Sequence, residues 1–330
     1  MNQSDISKVM ESNNALLIDM FMKCHDVLST HSSAAVSISG GGDSDVMLDL
    51  IERVKSDTHC DVKYIWFDTG VEWQATKDHL EYLEERYGIE MARVRGRKSI
   101  PTCVREYGQP FLSKYVSEHI ERLQRAGFDW KDEPYEELLA RFPNCSSALK
   151  WWTNKWTRNE RPGWFDIGRH KMLKEFMVEN PPTFRISQKC CTYAKKYAAH
   201  DAYKSMDIDL EIIGVRRAEG GIRAATGTCF STHDGMDTYR PLYWLSQGDK
   251  DTYSELFDIR HSDCYEVWGF KRTGCVGCPF GRDAIKELDI ATAFEPALCQ
   301  VARKLFRESY EYTAAYREYV RARGQQRLFK

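Results

Sequence analysis

The first hundred residues alternate between short apolar runs and stretches whose apolar residues recur at helical spacing. The apolar runs that predict strands cover residues 34–39, 62–67 and 89–94. Helical spacing covers residues 45–54 and 73–87, and Gly88 follows the second stretch as a C-terminal cap. Strand–helix–strand order with short links predicts an α/β fold with a parallel sheet and right-handed crossovers.

The middle of the chain interrupts this alternation. Residues 101–182 are helical in tendency, hold five of the nine tryptophans and end at the pair Pro181-Pro182. Strand-like sequence resumes at 210–214 and near 239–244, and one helix is predicted over about 295–320. We therefore predict four segments: a first half of the α/β domain (1–100), a helical Trp-rich insertion (101–182), a second half (183–282) and a C-terminal helical segment (283–330).

Composition narrows the class of protein. The chain has 330 residues, of which 42% are apolar and 29% charged, as in ordinary soluble globular proteins. It has no run of 18 apolar residues that could span a membrane, and the first twenty residues lack the basic start and apolar core of a signal peptide. We expect a cytoplasmic location without membrane contact. The net charge of −2 means that any nucleic-acid contact requires a local basic patch.

A glycine-rich turn joins the first strand to the first helix. It reads Ser39-Gly40-Gly41-Gly42-Asp43-Ser44. Glycines allow close approach of the backbone to a phosphate, and a helix N-terminus offers unpaired N–H groups and a positive dipole. The serines add hydroxyl donors, and Asp43 can orient the loop or hold Mg²⁺. The turn lacks the Gly-Lys-Ser/Thr ending of a Walker A loop and the GxGxxG spacing of dinucleotide folds. The alternative to a phosphate-binding loop is a plain glycine turn between strand and helix.

Cysteine use is the unusual part of the composition. Four of the eleven cysteines form two close pairs, Cys190-Cys191 and Cys275-Val276-Gly277-Cys278. Four thiolates suit an iron–sulfur cluster or zinc. Adjacent cysteines favour an iron–sulfur cluster over the smaller tetrahedral zinc site, because neighbouring side chains diverge. The third possibility is that the thiols bind no metal. The nine histidines show no HxxxH or HExxH spacing, so we expect them to be structural or exposed.

These motifs together resemble a known superfamily. The glycine-rich turn matches the SGGxDS signature of PP-loop ATP pyrophosphatases, and the cysteine pattern resembles the 4Fe–4S site of adenylylsulfate (APS) reductases. The stretch around Gly214, from Arg216 and Arg217 to Arg223, resembles the superfamily's GxRRxE…R segment. Further matches are Lys195 in CCxxxK and Asp68-Thr69-Gly70 after the second strand. The likeness to the phosphoadenosine-phosphosulfate (PAPS) reductase superfamily spans residues 34–100 and 184–282.

The resemblance implies a PP-loop (adenine nucleotide alpha-hydrolase-like) fold and assigns roles to individual residues. ATP phosphates would lie on the loop Ser39–Ser44, with Asp68, Thr69 and Gly70 aiding the nucleotide or Mg²⁺. Phosphate charge would be neutralised by Lys195, Arg216, Arg217 and Arg223. The ligands of a 4Fe–4S cluster, with zinc as the alternative, would be Cys190, Cys191, Cys275 and Cys278.

Two departures separate the chain from a sulfate reductase. The first is that its glycine-rich loop is intact, whereas assimilatory reductases carry a degraded loop. The second is that this chain lacks the cysteine of the reductases' C-terminal tail, since its last cysteine is Cys299. The combination resembles instead the ATP pyrophosphatase of DNA phosphorothioation and, more distantly, cluster-dependent tRNA thiolases. This implies cleavage of ATP to AMP and pyrophosphate to activate an acceptor for sulfur transfer, with a sulfur or electron donor protein. The alternatives are an APS/PAPS reductase releasing sulfite and a non-catalytic nucleotide-binding sensor or partner subunit.

One segment carries a local basic patch. Residues 150–174 contain seven lysines and arginines against two acidic residues, with four tryptophans interleaved. Such a mixture is typical of contact with phosphates and stacking on unpaired bases, so the segment is a candidate site for a nucleic-acid acceptor. The alternative is an amphipathic helix whose tryptophans, Trp152 and Trp156 among them, share one buried face.

Overall fold

The computed structural model describes residues 3–220 and 227–326, which divide into two compact units. The first unit contains the chain up to Arg97 and Ala194–Cys275. The second contains Lys98–Tyr193 and the chain from Val276 onward. The helical middle segment therefore shares a unit with the C-terminal helices. The four predicted segments remain a prediction about domains.

The first unit is built on one six-stranded sheet. In chain order its strands are β1 (Ser33–Ile38), β2 (Asp61–Asp68), β3 (Met91–Arg95), β4 (Leu210–Ile213), β5 (Phe230–His233) and β6 (Met236–Tyr239). They lie side by side in the order β3-β2-β1-β4-β6-β5, and every neighbouring pair is parallel except the β5–β6 hairpin. The predicted α/β fold with a mainly parallel sheet is confirmed.

The helices of the described residues alternate with these strands and fill the second unit. In chain order they are α1 (Gln3–Glu11), α2 (Ala15–Ser29), α3 (Gly42–Val54), α4 (Gln74–Tyr87), α5 (Ile100–Tyr107), α6 (Lys114–Arg125), α7 (Tyr135–Arg141), α8 (Ser146–Trp152), α9 (Leu173–Glu179), α10 (Lys189–Cys191), α11 (Tyr197–Ser205), α12 (Gln247–Leu256), α13 (Asp263–Glu266), α14 (Ala284–Ala291), α15 (Pro296–Leu305) and α16 (Arg307–Gln326). None of them is long and apolar enough to cross a membrane.

Helix α3 runs through the core of the first unit and buries polar as well as apolar side chains. Its apolar positions pack against α2 and the sheet. The carboxylate of Asp49 is also fully buried, and it accepts hydrogen bonds from Arg53 at 2.6 Å, Tyr253 at 2.7 Å and Tyr87 at 2.9 Å. A buried charge with this many donors is compensated, so α3 stays fixed at the centre of the unit.

Two predicted elements are wrong. Residues 241–244 form a turn and not a strand, because β6 ends at Tyr239 and Pro241 has no N–H for a sheet. The single helix over 295–320 is two helices, α15 and α16. They are separated at Phe306, which leaves the helical conformation (φ −111°, ψ 20°) while its ring stays buried. Periodicity misses this break because the apolar spacing continues across it.

An aromatic core holds the second unit together. Trp151 and Trp152 are fully buried there with Phe111 and Phe176, and the indole N–H of Trp152 donates to the Lys131 carbonyl at 3.0 Å. Helix α8 ends at Trp152, so Trp156 does not continue its buried face. The tryptophans of residues 150–174 therefore divide into a buried pair and an exposed pair.

Candidate phosphate-binding site

The glycine-rich turn leaves the sheet where the strand order reverses. Strand β1 pairs with β2 on one side and with β4 on the other. Residues 39–44, 68–70 and 214–217 follow these three strands and therefore share the carboxyl edge of the sheet. Ligands of open α/β sheets bind at this edge, next to such a switch point.

The turn is held in shape by its own side chains. Gly40 has a positive φ of 65°, and a Cβ atom there would lie 2.7 Å from the Thr76 methyl carbon, so only glycine fits. The buried hydroxyl of Ser44 accepts from the Gly41 N–H at 3.0 Å, donates to the Gly41 carbonyl at 2.8 Å and lies 3.2 Å from Ser39 Oγ. Ser44 thus closes the loop at the start of α3.

The end of β4 packs directly against this turn. A Cβ atom on Gly214 would lie 3.3 Å from the carbonyl of Asp43 and 3.4 Å from the Ser44 nitrogen. The missing side chain lets the two backbones approach, and the chain then continues to Arg216. This close approach brings a predicted arginine to the predicted loop.

Asp43 lies between two cations. Its Oδ2 accepts from Arg216 Nε at 2.9 Å, and its Oδ1 is 3.1 Å from Lys250 Nζ. Arg216 is only 6% exposed; its Nη2 donates to Gln247 at 2.9 Å, whereas its buried Nη1 has no hydrogen-bond partner among the described residues. With both carboxylate oxygens engaged, Asp43 orients the cations at the loop.

Lys250 was not predicted from the sequence. It lies in the first turns of α12, whose start is marked by the cap Ser246, and its Nζ is 3.1 Å from the position that a Gly42 Cβ would occupy. A lone lysine on a helix gives no signal of which loop it faces. The loop attracts anions, because the positive charges of Arg216 and Lys250 and the N-terminus of α3 outweigh the carboxylate of Asp43.

The segment after β2 contributes one accessible carboxylate. Asp68 Oδ1 accepts from the Gly70 N–H at 2.9 Å, and its Oδ2 lies 3.7 Å from Arg95. Thr69 is buried and donates to Glu72, so its hydroxyl does not face solvent. Gly70 is exposed with a positive φ of 81°, and a Cβ atom there would meet nothing within 4 Å.

The other predicted cations are placed differently. Arg217 is exposed, with its guanidinium carbon 5.5 Å from the ring centroid of Trp244. Lys195 is partly buried in an irregular helical turn, Thr192–Lys196. Arg223 lies outside the described residues. Arg216 is therefore the predicted cation for which a contact with the loop is observed.

Of the four predicted cluster ligands, Cys190 is buried, and Cys191, Cys275 and Cys278 are partly buried. In the second unit, Cys190 and Cys191 form α10, which packs against α5, and the Cys278 carbonyl accepts from Gly281 at 2.7 Å. In the first unit, Cys275 Sγ lies 3.5 Å from Thr69 Oγ1. Four thiols are the donor set that a 4Fe–4S cluster requires. Among the described residues no group of three or more His, Cys, Asp or Glu side chains is arranged to hold a metal ion.

Comparison with protein families finds a match in the first part of the chain. Residues 33–139 match the phosphoadenosine phosphosulfate reductase domain. The matched residues include β1 to β3, the loop Ser39–Ser44 and Asp68–Gly70. The predicted resemblance to this superfamily is confirmed, and the match supports an enzyme of this class.

The chain is similar to one protein by sequence and to two proteins of known structure. An uncharacterized protein of Methanocaldococcus jannaschii is 37% identical over 75 residues, which are 23% of this chain and 15% of that protein. The PAPS reductase of Candida auris, solved with phosphate, is 13% identical with a TM-score of 0.44, over 83% of this chain and 96% of the reductase. The U34-tRNA thiolase NcsA of Methanococcus maripaludis, solved with its 4Fe–4S cluster, is 14% identical with a TM-score of 0.40. The match covers 92% of this chain and 79% of the thiolase.

Proposed function

We propose that this protein binds ATP at the loop Ser39–Ser44 and uses it to activate an acceptor for sulfur transfer. The observation that carries the proposal is Arg216 Nη1, a buried guanidinium nitrogen beside the N-terminus of α3 that has no hydrogen-bond partner within residues 3–220 and 227–326. Leaving such a group unsatisfied is costly, and a phosphate oxygen would satisfy it. The PAPS reductase domain match over residues 33–139 supports an adenine nucleotide as the source of that phosphate.

The loop geometry suits a polyphosphate. Side chains on Gly41 and Gly42 would crowd Ser39 Oγ and Lys250 Nζ, at 3.2 Å and 3.1 Å. The glycines therefore leave room for a ligand beside the fixed cationic donors Arg216 and Lys250. Such fixed donors stabilise the charge that develops on departing pyrophosphate without reorganisation.

The proposed reaction has two steps. An oxygen of the acceptor attacks the α-phosphorus of ATP, forming an acceptor–O–AMP bond and releasing pyrophosphate. Sulfide from a donor then attacks the activated carbon or phosphorus, and the bond to the AMP oxygen breaks. Adenylation is needed because that oxygen is otherwise a poor leaving group. Mg²⁺ would arrive with ATP, and Asp68 is the carboxylate at this edge that can reach it, since Asp43 is engaged by Arg216 and Lys250.

The four thiols are proposed to hold a 4Fe–4S cluster, which would supply iron-bound sulfide to the reaction. The chemistry of the donor set supports this assignment, because Cys190, Cys191, Cys275 and Cys278 supply four thiolates, the number of ligands that such a cluster takes. We expect anaerobically purified protein to contain about four iron and four sulfide per chain. Serine at Cys190 should abolish iron binding, while serine at buried Cys24 should not. Zinc without sulfide in the wild-type protein would contradict the cluster.

The acceptor is proposed to be a single-stranded nucleic acid that contacts residues 154–170, which we call the Trp164 loop. Trp164 is 69% exposed, Phe165 50% and Trp156 36%, in contrast to the buried tryptophans of α8. Arg169 lies 4.4 Å above the Trp164 ring, and Arg158 and Arg161 are exposed beside it. Bases stack on exposed aromatic rings, and arginines contact phosphates.

The Trp164 loop is built around a buried carboxylate. Asp166 accepts from the Gly163 N–H at 2.7 Å, from Thr157 Oγ1 at 2.9 Å and from the Trp156 N–H at 3.0 Å. These bonds hold the exposed rings in place before any ligand arrives. A rigid aromatic surface loses less entropy on binding, which favours a binding role.

Nucleic-acid contact is tested with a fluorescent 20-nucleotide single strand and fluorescence anisotropy. We expect Trp164→Ala to weaken binding about 5- to 100-fold, as expected for loss of one stacking contact worth about 1–3 kcal/mol. The control is Phe294→Ala, which removes an exposed ring elsewhere in the same unit. Equal binding by both variants and wild type would exclude the Trp164 loop.

The nucleotide site is tested by calorimetric titration with MgATP, APS and PAPS. We expect MgATP to bind most tightly and Arg216→Ala to weaken it roughly 10- to 100-fold, because a hydrogen bond to a charged group contributes about 1.5–3 kcal/mol. The control is Arg93→Ala, whose exposed guanidinium pairs with Glu81 at 3.4 Å. Release of AMP and pyrophosphate with an acceptor then tests turnover.

The second candidate function is reduction of a sulfonucleotide, which the PAPS reductase domain match favours. APS and PAPS carry the same adenylate and phosphate groups, so the loop and Arg216 would serve them equally. Tighter binding of APS or PAPS than of MgATP, with release of sulfite, would replace the first proposal by this one. Binding of ATP without turnover under any acceptor condition would indicate a nucleotide sensor.

A further inference from the structure

A buried carboxylate with two histidines lies beneath the glycine-rich loop. Asp45, in the first turn of α3, is fully buried. Its Oδ2 is 2.8 Å from His261 Nδ1 and 3.1 Å from His79 Nε2. His79 is buried, and its ring stacks on Tyr82 with centroids 5.7 Å apart. This cluster has no part in the reaction described so far.

Asp45 is a charged anchor for His261. Burial alone would raise the pKa of Asp45, but the hydrogen bond with His261 and the adjacent His79 ring hold it below its usual value. Its other oxygen, Oδ1, makes no hydrogen bond within the described residues. A buried carboxylate in this state strongly attracts a proton-bearing nitrogen, so it fixes the His261 ring in one orientation.

His261 reaches from this anchor to the start of α3. Its side chain is 18% exposed, and its ring carbon Cε1 lies 3.5 Å from the position of a Gly42 Cβ. Lys250 Nζ lies 3.1 Å from the same position. The two side chains therefore flank the first residue of the helix. Since Nδ1 is committed to Asp45, Nε2 is the nitrogen that remains for a ligand.

We propose that His261 is a further nucleotide-binding residue, whose Nε2–H donates to a phosphate oxygen at the loop while Asp45 and His79 position the ring. This inference rests on the proposed ATP site and adds a residue to it. The independent observation that an anion belongs here is the buried Arg216 Nη1 near the same helix terminus, which has no partner in the part of the chain that the structure describes. Donation from both ring nitrogens requires the charged imidazolium, and the Asp45 carboxylate is its counter-ion.

The proposal makes binding of phosphate depend on the Nε2–H donor of His261. The titratable and charged groups that face the ring come from α3, α4, α12 and α13, and they are Asp45, His79, Lys250, Tyr265 and Glu266.

The test is calorimetric titration of the full chain with MgATP. We expect His261→Leu to bind about tenfold more weakly than wild type, the loss of about 1.4 kcal/mol. His261→Gln keeps an N–H donor and should recover most of this affinity. The control is His233→Leu, an exposed histidine of the same unit.

Three results separate the outcomes. Equal binding by His261→Leu and wild type, with weakened binding by Arg216→Ala, overturns the role of His261 and leaves the ATP site intact. Binding by His261→Gln that is no tighter than that by His261→Leu also overturns it. Failure of the wild type to bind MgATP overturns the ATP site and, with it, this inference. Circular dichroism melting of each variant shows that the loss of binding is not a loss of folding.

Discussion

His119 should make the second unit sensitive to acid. Its ring is almost fully buried between Tyr115, with centroids 4.2 Å apart, and the edge of Trp151 at 5.4 Å. Neither ring nitrogen has a hydrogen-bond partner among the described residues. Burial, aided by the neighbouring Arg122 charge, lowers the pKa of His119 to about 4 from an ordinary value of 6.5.

The sign and size of the effect follow from proton linkage. Above pH 6.5 the ring is neutral in both states and contributes no pH dependence. Between pH 6.5 and 4 the unfolded chain binds a proton that the folded chain excludes, so stability falls as pH falls. With pKa values of 6.5 and about 4, the free energy of unfolding should drop by about 2 kcal/mol between pH 8 and pH 5 through this residue alone.

The matched variant is His119→Phe, which keeps the aromatic contacts and removes the proton and both unsatisfied nitrogens. We expect urea unfolding, followed by tryptophan fluorescence of the second unit, to show about 2 kcal/mol less loss between pH 8 and pH 5 in the variant. The control is His200→Phe, which replaces an exposed histidine. If wild type and His119→Phe lose equal stability over this interval, the ring is hydrated or paired and the reasoning fails.

Further predictions concern backbone and loop structure. Gly40→Ala should lower stability by about 2–3 kcal/mol, because it adds a collision to an unfavourable φ, whereas Gly88→Ala, which meets nothing within 4 Å, should cost about 1 kcal/mol in urea unfolding. Asp166→Ala removes three hydrogen bonds and should expose residues 154–168 to limited proteolysis; unchanged cleavage would show that Asp166 does not hold the loop. Ser44→Ala should weaken MgATP binding severalfold by loosening the turn, as calorimetry would detect.

The sheet was predictable because its signals are local. The strands around 34–39 and 62–67 are continuous apolar runs, and Gly88 closes the second helix with a positive φ of 62°. The glycine-rich turn lies between a strand and a helix, as its composition requires. The predicted strand near 239–244 failed because apolar residues around Pro241 pack as a turn, and periodicity does not encode that choice.

The candidate site was predictable only in part. Ser39–Ser44 and Arg216 carry motif signals, and the structure brings Asp43 and Arg216 together. Lys250 and His261 carry none, because each is a single polar residue whose partner is more than 200 positions away in the sequence. Histidines without a ligand spacing were expected to be structural or exposed; the observed bond of His261 to a fully buried carboxylate agrees with a structural role, and a role in binding is the proposal made above.

The discontinuous make-up of both units has a consequence during synthesis. The first unit needs Ala194–Cys275 to add β4, β5 and β6 beside β1, but these residues follow the nearly hundred-residue stretch Lys98–Tyr193 of the second unit. At about 5–20 residues per second, a ribosome that has completed β1 to β3 needs several seconds to tens of seconds more to deliver them. During that interval one edge of β1 is unpaired and open to other chains. A nascent chain stalled after Arg97 should therefore associate with chaperones more than the full-length chain does.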